Sequence, residues 1–121
     1  MVDVERNFAY LDWAASLLQR GDLDGALEKA RAAVERSPRF ADAIELWAEA
    51  LSAKHDFAGA ASRFKQASAL TPRWGHLHLM WGQALAQLGK KPEALEQFRT
   101  AAGLDLSAAD QALLSASLEM K

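Results

Sequence analysis

Trp13, Trp47 and Trp81 stand 34 residues apart, and four further columns keep the same interval: Pro38 and Pro72; Leu17, Leu51 and Leu85; Ala26, Ala60 and Ala94; Ala33, Ala67 and Ala101. A fixed period of this length restricts the chain to a stack of like units. Each unit buries its apolar side only against its neighbours.

Each unit reads as two helices. In the second, Ile44, Trp47, Ala48 and Leu51 recur at helical spacing along Ala41–Lys54. Phe57, Ala60, Phe64 and Ala67 do so along the next run, which stops before Pro72. Short turns separate the runs at Gly21-Asp22, His55-Asp56 and Gly89-Lys90. Glycine supplies the left-handed backbone that ends a helix, and aspartate caps the one that follows. Pro92 falls in a first turn, where proline is tolerated. Alanine, the commonest residue, is the best helix former and lets helices approach closely. Its columns at 26, 60 and 94 are expected where the two helices of a unit cross, because a larger side chain would force them apart. The tryptophans are expected on the inward-packing stripe, each burying about 150–250 Å².

The pattern resembles the tetratricopeptide repeat. Tyr10, Trp13, Ala14, Leu17, Ala26, Ala30, Ala33 and Pro38 carry the likeness in the first unit. Ile44, Trp47, Ala48, Leu51, Ala60, Phe64, Ala67 and Pro72 carry it in the second, and His78, Trp81, Gly82, Leu85, Ala94, Phe98 and Ala101 in the third. Departures are Tyr10, His78, His55 for glycine, Ala30 for a larger residue, Leu106 for proline, and tryptophan in a column that is usually leucine. The resemblance implies an all-α, right-handed superhelical solenoid of helix–turn–helix units. Three units are expected, at about 7–40, 41–74 and 75–106, with a seventh, capping helix at about 107–120, all in one domain over 1–121.

The columns that pack on a preceding unit read Asp12, Leu46, Met80, Leu114; then Ser16, Ala50, Ala84, Leu118; then Arg20, Lys54, Leu88. The first unit is polar in all three, as an end unit should be. Leu114 and Leu118 are expected to hold the last helix on the third unit, while Ala112, Ser115, Ala116 and Glu119 face solvent. Ser107 with Asp110 has the form of a capping box. Together these columns predict a self-contained unit of seven helices.

In proteins of this resemblance, the concave side, lined by the first helix of each pair, receives an extended peptide or a helix. The matching positions are Phe8, Asp42 and His76; Leu11, Glu45 and Leu79; Ala15, Glu49 and Gln83, with Leu113 extending the middle column. This lining predicts a peptide or helix ligand with apolar anchors at Phe8, Leu11 and Leu79 and a Lys or Arg near Asp42, Glu45 and Glu49. Leu11 and Leu79 are expected to serve the ligand rather than the fold. Some members of the family clamp acidic chaperone tails with Lys, Asn and Arg. The corresponding places here hold Leu11, Ala15, Leu46, His76 and Met80, so an acidic tail is not expected.

The expected function is therefore a protein-interaction scaffold. The alternatives are a structural, self-associating module or a small secretion-type chaperone. Phe40 and Trp74 could offer contacts for binding or self-association, but are expected to pack the joints between units. No catalytic, cofactor or metal site is expected. The seven glycines form no phosphate loop, cysteine is absent, and no serine has a nucleophile-elbow setting. His76 and His78, two apart on a helix, point in different directions and are poorly placed to share an ion. A net charge of −2 offers no basic field for nucleic acid. No apolar run reaches the roughly 20 residues of a membrane span, and no secretory pattern opens the chain, so a cytoplasmic setting is the default expectation.

Overall fold

The computed structural model describes residues 4–119, with side chains from Asn7 onward; the expected end of the last helix at residue 120 lies outside this range. Among these residues seven helices follow one another: α1 (Val4–Gln19), α2 (Leu23–Arg36), α3 (Ala41–Ala53), α4 (Phe57–Leu70), α5 (Gly75–Gln87), α6 (Lys91–Ala102) and α7 (Ala108–Glu119). Each of the three pairs packs tightly within itself, the first two also pack against the pair that follows, and α7 rests on α5 and α6. Among the described residues there is no strand, and no helix is long and apolar enough to cross a membrane.

The turns within pairs follow from local chemistry. Gly21, His55 and Gly89 hold φ of 82°, 66° and 78°, the left-handed region that reverses the chain after each first helix. The Asp22 and Asp56 carboxylates then accept from the Gly25 and Gly59 amides at 3.0 Å, capping α2 and α4. Lys90 makes no such side-chain cap on α6, which begins instead with Pro92 in its first turn.

Alanines seal the contacts between helices. Ala14, Ala26, Ala30, Ala33, Ala48 and Ala60 are wholly buried, so backbones approach to the limit that a methyl group allows. Phe64, Ile44, Leu77 and Leu79 are the largest fully buried side chains, and they sit in a core that runs from Ala33 of α2 to Leu114 of α7. Gly82 of α5 makes room for Phe98 of α6: a Cβ there would stand 2.6 Å from the ring. Phe40 and Trp74, each just before a first helix, pack against the core at the joints between pairs.

The tryptophan column is less inward than its spacing suggests. Trp13 is 51% exposed, and Trp47 and Trp81 are half-buried. The column lies at the edge of each pair, where the second helix offers a long polar residue rather than an apolar one. Lys29 Nζ lies 4.0 Å from the Trp13 ring centroid, and the Arg63 guanidinium 4.2 Å from that of Trp47. These cations lay their stems on the indole and keep their charge in water. In the third pair Gln97 takes the equivalent place and pairs with His78 Nδ1 at 2.9 Å, while the imidazole stacks on Trp81.

The last helix departs from its expected seating. Leu114 is buried, but Leu118 is 43% exposed at the rim of an open cavity that Phe98 and Leu95 also line. Only half of a capping box forms. The Asp110 amide donates to Ser107 Oγ at 3.1 Å, and the Asp110 carboxylate turns away to a histidine of α5.

Candidate functional site

The first helices α1, α3, α5 and α7 stand side by side, so residues one period apart become neighbours. His76 Nδ1 lies 2.9 Å from Asp110 Oδ2, and Gln83 Nε2 donates to Ser117 Oγ at 3.4 Å; both pairs are 34 residues apart in sequence. One helix back, Glu45 and Glu49 lie one turn apart on α3. His76 Nε2 faces Glu45 Oε2 at 3.6 Å, too far for a good hydrogen bond but close for opposite charges. Three carboxylates, Glu45, Glu49 and Asp110, thus surround one imidazole.

Burial makes this cluster electrostatically strained. Glu45 is only 8% exposed, and its Oε2 is wholly buried with no hydrogen-bond partner. The Glu49 carboxyl is pushed up from 4.5 to about 9, first by burial and then by the Glu45 carboxylate beside it. His76 is raised from 6.5 to about 9, mainly by Glu45 at Nε2 and also by Asp110 at Nδ1, against the opposing effect of its own burial. Near neutral pH the cluster therefore holds extra protons in place of an external positive charge. The donor atoms of Glu45, Glu49 and His76 all lie within 4.8 Å of one another, a set able to hold a metal ion.

The nine residues expected to line the groove do not form one continuous surface. Phe8 is 49% exposed and meets Phe40 edge-on, with ring centroids 5.3 Å apart. Asp42 is exposed; Ala15, Glu49, His76 and Gln83 are half-buried. Leu11 is half-buried against the core, and Leu79 is fully buried. Leu79 is thus a core residue, not an apolar anchor free for a ligand, and a charge there would disrupt the fold. Glu45, in the same column, is likewise buried. Asp110 went unseen as a partner of His76 because its sequence context marked it as a helix cap. Its place one period after His76, in the column Phe8, Asp42, His76, was the available signal. His78 points away from this cluster, held between the Pro72 carbonyl and Gln97.

Neither the family models nor the curated proteins include a match to this sequence. Solved structures do match. The first tetratricopeptide domain of Spaghetti (RPAP3), bound to the HSP90 peptide SRMEEVD, superposes with a TM-score of 0.85 at 20% identity, over 97% of this chain and 96% of that one. The tetratricopeptide domain of Sgt2 from Aspergillus fumigatus gives 0.83 at 18% identity, over 93% and 77%. A thermophilic tetratricopeptide protein of Thermus thermophilus gives 0.82 at 26% identity, over 93% and 66%. With its 34-residue columns and seven described helices, the chain has the fold of a tetratricopeptide-repeat solenoid.

Proposed function

We propose that this chain is a protein-interaction scaffold, not an enzyme, and that the face of its first helices takes a peptide or helix carrying a basic residue. The carrying observation is the half-enclosed acidic cluster of Glu45, Glu49 and Asp110, with exposed Asp42 on the same helix as the two glutamates. A lysine or arginine entering there would meet three carboxylates gathered around a single imidazole. Perturbed protonation of this kind also serves acid–base catalysis in enzymes; here it is the cost of an acidic site that a cationic side chain relieves. Exposed Phe8 and Leu113 and half-buried Leu11 supply apolar contact along the same face. The Spaghetti domain supports the mode of binding, since it holds a peptide, but not the ligand: its peptide ends in acidic residues, which this cluster would repel.

Fluorescence anisotropy with labelled amphipathic peptides tests the reading, in chelator, with each Lys/Arg-bearing peptide matched by a Glu-bearing counterpart. The basic set should bind, and Glu49→Gln, which keeps shape but cannot ionise, should weaken it by about tenfold. Equal or better binding of the acidic set, or no binding of either, would overturn it.

A further inference from the structure

The acidic cluster on the first-helix face has a feature that a peptide site does not require: its donors have the types and arrangement of a metal centre. Glu45 and Glu49 project from one stripe of α3, one turn apart, and His76 meets them from α5. We propose that Glu45, Glu49 and His76 bind a divalent first-row transition ion, zinc by preference, with Asp110 orienting the histidine.

Four observations support this. The first is chemical. Two carboxylates and an imidazole suit zinc and its neighbours, whereas magnesium and calcium prefer oxygen alone. The second is the partner of the histidine. Asp110 Oδ2 accepts from His76 Nδ1 at 2.9 Å, which leaves Nε2 to face the glutamates. A carboxylate behind the distal ring nitrogen is the usual outer support of a metal-bound histidine.

The third is the unpartnered oxygen. Glu45 Oε2 is buried without a hydrogen bond and lies 3.6 Å from His76 Nε2, aimed into the cluster. A buried charged acceptor left without a partner is costly, and an ion supplies the partner. The fourth is scale. Ligand atoms about 2.0–2.2 Å from a tetrahedral zinc stand roughly 3.3 Å from one another. The three donor atoms here lie within 4.8 Å, and the Glu45–His76 pair is nearly at the required separation. Rotation of the half-buried Glu49 side chain would close the rest. Three protein ligands leave a fourth position for water or a partner's side chain.

Metal binding at these residues does not depend on the peptide reading. An ion and a lysine would compete for the same carboxylates, which is why the peptide measurement is made in chelator.

The test is isothermal titration of the chelator-stripped chain with zinc chloride alone, followed by cobalt substitution read in the visible spectrum. One ion per chain should bind at micromolar or tighter Kd. His76→Ala and Glu49→Gln should each abolish saturable binding, and Asp110→Asn should weaken it by about 10–100-fold. Visible absorption of bound cobalt should disappear with His76→Ala. Circular dichroism confirms that each variant is helical; if His76→Ala does not fold, Glu49→Gln, which nearly preserves shape, decides the matter. Absence of saturable binding up to millimolar zinc, or equal binding by wild type and Glu49→Gln, would overturn the proposal.

Discussion

At position 55 a histidine holds the left-handed backbone that Gly21 and Gly89 hold in the other two pairs, with φ of 66°. A side chain in that region is strained by about 1–2 kcal/mol. Here the cost is partly offset by the contact of the imidazole with Phe57, 5.4 Å between centroids. His55→Gly should therefore stabilise the chain by about 0.5–1 kcal/mol in a urea melt, once the entropy of the added glycine is counted. The turn was legible because a period places position 55 over two glycines. The state of Glu45 was not, because one acidic residue on a helix stripe looks the same whether solvated or covered. Only the tertiary packing shows that this carboxylate is buried and that Leu79 belongs to the core.

Among the elements, α7 is the least deeply seated. Its one buried side chain is Leu114, while Leu113 and Leu118 remain largely exposed. Leu114→Ala should cost about 2–4 kcal/mol. Leu118→Ser should change stability by about 0.5 kcal/mol or less. Thermal melts of the two single variants check this; equal losses would mean that α7 sits deeper than described. The pairing of the helices and the turns between them could be read from period, turns and prolines. Their facing could not. Trp13 lies in a column with Trp47 and Trp81, which pack against the core, yet it is itself half exposed and meets Lys29.

Across the whole molecule, the cluster of Glu45, Glu49, His76 and Asp110 links three first helices, so its protonation is coupled to stacking of the array. Both Glu49 and His76 bind protons more tightly in the folded chain. Glu49 loses its proton above 4.5 when unfolded but near 9 when folded, so the folded state is penalised as pH rises through that interval. His76 contributes stability that is complete below 6.5 and lost as pH rises through about 9. The two effects have the same sign. In chelator, the melting temperature should fall between about pH 6.5 and 9.5, by about 5 °C or more, and Glu49→Gln should flatten much of that slope. A melting temperature that rises over this range would contradict the arrangement. The sequence by itself determined the repeat, the helix pairs, the capped turns and the family of architecture, because a period and its punctuation are properties of neighbours along the chain. Only the tertiary structure decided which acids share a histidine, which leucine is core and which tryptophan is bare. Those depend on how closely helices a full period apart approach, and a 34-residue column records adjacency without recording depth.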